Sequence, residues 1–148
     1  FIAELLQNVI KEQEQNLELF EFLYNSIHWI DLSKQGCGHF HLLFMIKLTK
    51  YLGFYPMLKG HEEAQYFDLQ QGVFSGLRPQ NTEYIDSEEL KAWKQLTNAK
   101  LESNNRLMFS NTLKRKLLQT MVRYYKLHLI HFKELNSHHI LQSVFNDE

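Results

Sequence analysis

The stretch from Phe40 to Leu52 constrains the fold more than any other part of the sequence. Apolar side chains there fall on almost every side of a helical wheel, and a helix that is apolar nearly all round is a buried one. We therefore expect a central helix around which the rest of the chain packs. Gly53 in a left-handed conformation and the nearby Pro56 are expected to end it. Only four polar residues interrupt the pattern: His41, Lys47, Thr49 and Lys50.

The composition is typical of a soluble protein with one substantial core. The 148 residues are 44% hydrophobic and 14% aromatic, which suits a single domain. The longest apolar run, Leu42 to Ile46, is far shorter than the roughly 20 residues that span a bilayer. A single cysteine, Cys37, excludes an internal disulfide and suits a reducing compartment. We expect a soluble intracellular domain, and, because residue 1 is not methionine, a fragment cut at a domain boundary.

Helical periodicity extends to the N-terminal side of the central helix. Apolar residues spaced three and four apart predict a first helix that runs to about Gln13. Asn16 can cap a second helix. A turn over residues 33–38 then leads into the central helix, and such short connections favour antiparallel neighbours. The apolar stripe of the second helix is broad and aromatic, and consists of Phe20, Leu23, Tyr24, Ile27 and Ile30.

The sequence after Pro56 is typical of a short β segment. Tyr66 to Leu69 and Gly72 to Phe74 are two short apolar runs joined by a polar pair, which predicts a small β-hairpin at about residues 65–75. Gly76, Pro79 and Asn81 predict a loop after it.

Two helices of different length are predicted in the second half of the chain. Asp86 and Glu89 have capping-box spacing, so a helix is expected from Ser87 to about Leu96. The longest periodic segment runs from Asn105 to about Leu129 and carries two adjoining apolar rows, so we expect it to pack along the central helix. Ser137 can cap a last short helix. The predicted fold is mainly α: a single-domain helical bundle around a buried central helix, with a small β-hairpin excursion.

Charge is distributed unevenly along the chain. Residues 1–31 carry six acidic side chains and one lysine, whereas residues 99–133 carry eight cations and only Glu102. A basic helix face can neutralise nucleic-acid phosphates, although it can also be a solvated side that keeps the domain soluble. Lys47 and Lys50 of the central helix can extend to the same surface. The candidate residues for DNA or an acidic partner are therefore Lys114, Arg115, Lys116, Arg123, Lys126, Lys47 and Lys50.

Four residues invite a zinc hypothesis, because thiolate and imidazole are the usual ligands of structural zinc: Cys37, His39, His41 and His61. The spacing is poor. On a helix His39 and His41 point about 200° apart, and turn or surface histidines are the simpler interpretation. We expect no metal and no other cofactor.

Enzymatic motifs are absent from the sequence. It contains no Gly-rich phosphate loop, no Gly-x-Ser-x-Gly and no His-Glu-x-x-His. The adjacent carboxylates Glu62–Glu63 and Glu88–Glu89 diverge on a helix, which favours solvated or capping roles. We expect a protein that is not an enzyme.

Two segments carry a resemblance to a known family. Tyr51-Leu52-Gly53-Phe54-Tyr55-Pro56-Met57-Leu58, followed by Tyr66-Phe67-Asp68-Leu69-Gln70-Gln71-Gly72-Val73-Phe74, resembles the Y-L-G-F-x-P-x-L and Y-F-D-L-x-x-G-x-F motifs of the RecO family of bacterial recombination mediators. Supporting segments lie on both sides, at residues 1–6, 19–23, 117–118 and 124–128. The resemblance covers nearly the whole chain and implies the C-terminal helical domain of that family, without the N-terminal OB-fold that family members also carry.

The resemblance implies a role in DNA repair in the bacterial cytoplasm, in association with the nucleoid. Family members bind single- and double-stranded DNA, anneal strands coated with single-stranded DNA-binding protein, and work with RecR to load RecA. Many also hold zinc through four cysteines after the Leu-Gly-Phe-x-Pro motif. The matching region here, Leu58 to Pro79, has no cysteine, so zinc is not carried over.

The resemblance also implies a groove for the acidic, phenylalanine-ended tail of single-stranded DNA-binding protein. Such a groove requires an apolar pocket rimmed by cations, and we place it near Lys47, Lys50 and Arg123. The alternative is a helical protein-interaction scaffold whose basic face meets an acidic partner and never DNA.

Overall fold

The computed structural model of the protein describes residues 1–10, 16–32, 39–101, 107–133 and 135–137. Within these ranges the chain forms five helices and one small antiparallel sheet, which confirms the mainly α fold with a small β excursion. The elements in chain order are α1 (Ile2–Val9), α2 (Leu17–Leu32), α3 (Phe40–Leu52), β1 (Tyr66–Asp68), β2 (Val73–Ser75), β3 (Tyr84–Asp86), α4 (Ser87–Asn98) and α5 (Asn111–His128).

Helix α3 is the buried centre of the molecule, as its sequence predicts. Helices α2, α4 and α5 all pack against it. Gly53 ends it with a left-handed backbone, at φ 88°, and its N–H donates to the Thr49 carbonyl. Nine of its thirteen residues are buried: Phe40, His41, Leu42, Leu43, Phe44, Met45, Ile46, Leu48 and Thr49.

Helix α5 is fastened to the α3 region by two buried tyrosines. The hydroxyl of Tyr125 donates to the Met45 carbonyl at 2.8 Å, and that of Tyr124 donates to the Phe54 carbonyl at 2.7 Å. Burial raises the pKa of both phenols, so each stays a neutral donor. The two apolar rows predicted for α5 therefore do face the interior. The helix begins later than predicted, because the hydroxyl of Ser110 caps it by accepting from Leu113 N–H.

The sheet has three strands in the order β2-β1-β3, one more than the predicted hairpin. Phe67 of β1 lies opposite Phe74 of β2 and Ile85 of β3. Strand β3 is a run of three residues with one buried side chain, too short to give a period-2 pattern in the sequence. Phe67 packs against Trp93 of α4, with ring centroids 5.4 Å apart, and so joins the sheet to the helices.

The turn between β1 and β2 fits closely beneath α5. Gly72 has φ 67°, a conformation that favours glycine, and a Cβ there would lie 3.0 Å from the Tyr124 hydroxyl. Asp68 organises the turn, since its carboxylate accepts the N–H groups of Gln70 and Gln71.

The apolar stripe predicted for α2 is not its buried face. Phe20, Tyr24 and Ile27 are all more than half exposed. The residues that turn inward are Leu19, Phe22 and Ser26, and the Phe22 ring stacks on that of Tyr51, with centroids 4.7 Å apart. Helix α2 is apolar on both sides, so its sequence alone does not reveal which side meets α3. Leu23 and Ile30 lie between the two faces and are partly buried.

The capping box predicted at the start of α4 is wrong. Asp86 is the N-cap but makes no side-chain capping bond. Glu89 is buried instead, accepts a hydrogen bond from Thr120 of α5 and pairs with Lys116. The carboxylate therefore links two helices rather than closing the end of one.

Ser137, the residue predicted to cap a last helix, is hydrogen-bonded to helix α1. Ser137 donates to the Glu4 carboxylate of α1, and Asn136 N–H donates to the same carboxylate at 2.7 Å. The remainder of that predicted helix, and the first helix beyond Ile10, lie outside the described residues.

Truncating Phe44 tests the central position of α3. Its side chain is 1% exposed, so Phe44→Ala is expected to lower the free energy of unfolding by about 3–5 kcal/mol, measured by denaturant titration. The matched control is Phe20→Ala, because Phe20 is 63% exposed. Similar small losses in both variants would contradict the buried position of α3.

Candidate functional site

The cations predicted to form one surface separate into three groups. One group is an exposed row on α5, a second lies toward the interior, and the third borders a cavity beside α3. Their surroundings differ in charge and burial, and each group is described in turn.

The α5 row consists of Lys116, Arg123 and Lys126, which are exposed. Their spacing of seven and three residues puts them on one face of the helix. Two of them already have carboxylate partners. Lys116 Nζ lies 3.0 Å from the buried Glu89 carboxylate, and Arg123 Nε lies 3.1 Å from that of Glu83. The row therefore carries less net charge than the sequence indicates.

The interior group is centred on Lys114, which is buried even though the sequence places it among the surface cations. It lies close enough to His39 and His41 for its charge to act on both. Burial, and then the charge of Lys114, lowers the pKa of His39 to about 4. Burial lowers the pKa of His41 to about 3, with smaller contributions from His39 and Lys114. Arg115, next in the chain, is half-buried.

The third group surrounds a cavity of about 400 Å³ between α2, α3 and the segment that follows α4. Its walls are largely apolar, and none of the described residues that line it is acidic. Lys100 lines it together with the two predicted lysines. The described residues that line it are Phe22, Lys47, Lys50, Tyr51, Tyr55, Ala99, Lys100 and Leu101.

Lys47 is held in place at the base of this group. Its ammonium donates to the Thr97 carbonyl at 2.7 Å and to the Tyr55 hydroxyl at 3.2 Å, and that hydroxyl also donates to Thr97. Thr97 lies in the last turn of α4, where unpaired carbonyls favour a cation. Burial, and then the charge of Lys50, lowers the pKa of Lys47 to about 8. Lys50 is exposed, and its Nζ lies 5.9 Å from the centre of the Tyr51 ring.

The predicted neighbourhood of Lys47, Lys50 and Arg123 is thus only partly assembled. Arg123 does not line the cavity, because it is on α5 and pairs with Glu83. Lys100 takes its place, a residue that sequence reasoning did not single out. The only indication in the sequence was that Lys100 lies in the basic segment that begins at residue 99. Its position at the cavity depends on where α4 ends, and α4 ends at Asn98 rather than at the predicted Leu96.

The positions of the described histidines do not add support to the zinc hypothesis. The ring nitrogen of His39 accepts from Phe109 N–H at 3.1 Å, and that of His61 lies 3.3 Å from the Thr97 hydroxyl. Cys37 lies outside the described residues. Within the described ranges no group of three or more possible ligands is arranged to hold a metal.

None of the described helices is long and apolar enough to cross a membrane.

The helical fold, the small sheet and the lysine-bordered cavity together define a mainly α-helical domain that presents cations around an apolar pocket. Residues 1–137 match the family model described as "Recombination protein O C terminal". The chain therefore belongs to this family, and the resemblance carried by the Tyr51–Leu58 and Tyr66–Phe74 motifs is confirmed.

Relatives that are similar over almost the whole chain carry the name DNA repair protein RecO. Those of Bacteroides fragilis and Flavobacterium psychrophilum are 34% identical to it, over 147 and 146 residues, and that of Azobacteroides pseudotrichonymphae is 31% identical over 146 residues. Each alignment covers 99% of this chain and 60–61% of the relative, so the chain spans about three fifths of their length. No solved structure matches the chain.

The buried His41 predicts a pH dependence of stability. Its pKa is about 3 in the folded chain against an ordinary 6.5, so between these values the unfolded chain binds a proton that the folded chain does not. The free energy of unfolding is therefore expected to fall as pH falls from 6.5 to 4, with His41 contributing at most about 1.4 kcal/mol per pH unit. Denaturant titrations of the wild type and His41→Gln check this. The variant should have the shallower slope below pH 6.5 and a parallel curve above pH 7; equal slopes throughout would contradict the assignment.

Proposed function

We propose that this chain is a non-catalytic domain of a bacterial DNA-repair mediator that works in the cytoplasm at the nucleoid. Membership of the recombination protein O family supports the repair role, as does the name carried by its relatives. The observation that carries the proposal is the apolar cavity bordered by Lys47, Lys50 and Lys100. It offers a place to dock an acidic partner, and docking requires no chemistry of its own.

The cavity suits the acidic, phenylalanine-ended tail of single-stranded DNA-binding protein. Phe22, Tyr51 and Leu101 offer apolar contacts to an aromatic side chain. The exposed ammonium groups of Lys50 and Lys100 can meet the terminal carboxylate and neighbouring acidic residues. Lys47, already bonded to Thr97 and Tyr55, contributes its charge from a fixed position.

The α5 row is proposed as an auxiliary contact for single- and double-stranded DNA. Arg123 and Lys126 are proposed as its main positions because both are exposed; the Glu83 partner of Arg123 is itself partly exposed, whereas Lys116 pairs with the buried Glu89 carboxylate. Lys114 is left out of this contact, since it is buried, and half-buried Arg115 is at most marginal to it. In the full pathway the domain would also dock RecR, promote strand annealing and support RecA loading.

The second candidate function is a protein-interaction scaffold that meets an acidic partner and never DNA. The ion pairs of Lys116 and Arg123 favour it, because they reduce the charge that α5 offers to phosphates. Both candidates can use the cavity, and they differ in whether the basic face of α5 meets nucleic acid or an acidic partner.

Reversing the charge of Lys50 tests the cavity. Lys50→Glu is expected to weaken binding of a synthetic acidic peptide that ends in phenylalanine by at least about tenfold, or 1.4 kcal/mol, by fluorescence anisotropy. The matched control is Lys126→Glu, an equal charge reversal on α5 away from the cavity lining, which should bind nearly as tightly as the wild type.

A peptide amidated at its C-terminus and one that ends in alanine complete the experiment. Each should bind less tightly than the parent peptide. Equal weakening by Lys50→Glu and Lys126→Glu would contradict a cavity site and indicate attraction by overall charge.

Neutralising the α5 row tests DNA contact. The double variant Arg123→Gln/Lys126→Gln is expected to bind single-stranded DNA more weakly and to reduce the slope of log K against log salt by about 1.4, since each lost phosphate contact removes roughly 0.7. Titrations at two or more salt concentrations measure this slope.

The charge-matched control is Lys59→Gln/Lys133→Gln, two exposed lysines away from the α5 row. It should keep the wild-type slope. Equal slopes in the two double variants would contradict an α5 contact. If the wild type binds the acidic peptide but no DNA even at low salt, the scaffold is the correct function.

A further inference from the structure

We propose that the Lys47 amine is a site of covalent acylation by small acyl phosphates, with the cavity that it lines as the point of entry. Three observations support this site: Lys47 is held in a fixed position, burial and a neighbouring cation increase its neutral share, and two further lysines stand where an anionic reagent would arrive. Nothing in the proposed docking role requires this reactivity.

The position of the amine is set by two acceptors. Lys47 Nζ is bonded to the Thr97 carbonyl and the Tyr55 hydroxyl, which fixes a side chain that is otherwise flexible. The side chain is only half-buried and lines the 400 Å³ cavity. A reagent as small as an acyl phosphate can therefore approach the nitrogen from the cavity side while the two bonds hold it on the other.

The two acceptors at the end of α4 favour the ammonium form of Lys47, whereas burial and the charge of Lys50 act in the opposite sense and increase the share of the neutral, nucleophilic amine. The apolar walls disfavour the charge, Lys50 repels it, and Lys100 adds a third cation. Among the described residues, the other titratable groups that line the cavity are Tyr51 and Tyr55, both with a raised pKa.

From α2, the charges of Glu18 and Glu21 reach Tyr51, but neither carboxylate forms a salt bridge with Lys47 in the described part of the chain. With the pKa of Lys47 at about 8, roughly a quarter of the amine is neutral at pH 7.5, far more than at an ordinary lysine.

The reaction balances without any further reactant. The lone pair of the neutral amine attacks the acyl carbon and an N–C bond forms. The bond between the acyl carbon and the bridging phosphate oxygen breaks. The phosphate leaves with the proton that the nitrogen loses, as hydrogen phosphate. Lys50 and Lys100 are placed to attract the phosphoryl group of the reagent and to stabilise the leaving phosphate.

Acylation would change the cavity in two ways. It removes one of three positive charges and adds an acyl group to a pocket that is already largely apolar. If the cavity is the docking site, a consequence that rests on the proposed function, then acylation of Lys47 lowers the affinity for the acidic tail. The cavity would then respond to the acyl phosphate level of the cell.

The test uses the full wild-type chain and acetyl phosphate. After timed incubation at pH 7, 8 and 9, peptide mass spectrometry gives the acetylated fraction at each lysine. Lys47 is expected to react at least about tenfold faster than Lys59, an exposed lysine outside the cavity. Its rate should rise about fivefold from pH 7 to pH 8 but less than twofold from pH 8 to pH 9, because the amine is half neutral at its pKa of about 8 and nearly all neutral at pH 9. Acetylation of Lys47 no faster than that of Lys59 would overturn the proposal.

A variant and a second reagent distinguish two effects: attraction of the anionic reagent by Lys50 and Lys100, and the reactivity of the Lys47 amine itself. Lys50→Gln/Lys100→Gln should slow acetylation of Lys47 by acetyl phosphate more than it slows acetylation by a neutral N-hydroxysuccinimide ester. Equal slowing would remove the role given to the two lysines.

Peptide binding is then measured before and after modification. A chain that is acetylated at Lys47 but never bound the acidic peptide refutes the docking function and leaves the acylation site intact.

Discussion

Burial of most of α3 is the constraint on which the rest of the structure depends. A helix with nine buried residues must be covered by α2, α4 and α5, and its few polar groups must be accommodated locally. Thr49 does so by donating to the Ile46 carbonyl at 2.6 Å, and His41 by staying neutral. Lys47 reaches the end of α4 instead. The position of the cavity lysine is therefore a consequence of core packing.

The sequence was most informative where a local rule decides the structure. The extent of α3 follows from its uniform apolar pattern and from Gly53, and the position of the β1–β2 turn from the polar pair Gln70-Gln71 between two apolar runs. These features need no knowledge of distant partners. The two core tyrosines of α5 lie in the two adjoining apolar rows that were expected to pack along the central helix.

Features that depend on the choice of tertiary partner could not be predicted in the same way. Helix α2 is apolar on two sides, and only contact with α3 selects the side that carries Phe22. Glu89 has capping-box spacing, yet Thr120 and Lys116 draw it to α5. Periodicity likewise gave no sign that Lys114 is buried. For the candidate site, the sequence therefore identified Lys47 and Lys50 but missed Lys100.

Counting cations along the chain overstated the positive charge of α5. Two of its exposed cations are partly neutralised. Arg123 pairs with Glu83, which immediately precedes β3, and Lys116 pairs with Glu89 of α4. By contrast, no acidic side chain among the described residues lines the lysine cavity. Since none of the cavity's described lining residues belongs to α5, an acidic tail and a nucleic acid need not compete for the same side chains.

The two tryptophans lie in different parts of the interior. Trp93 is fully enclosed between Phe67 and Tyr124, with ring centroids 5.4 and 5.5 Å away, whereas the half-buried Trp29 of α2 stacks on Phe40 at 5.4 Å. Indole emission shifts to longer wavelength when water reaches the ring. Each tryptophan is thus a built-in optical probe of one region, and replacing either by phenylalanine would let the loosening of α2 be observed separately from that of the sheet and α4.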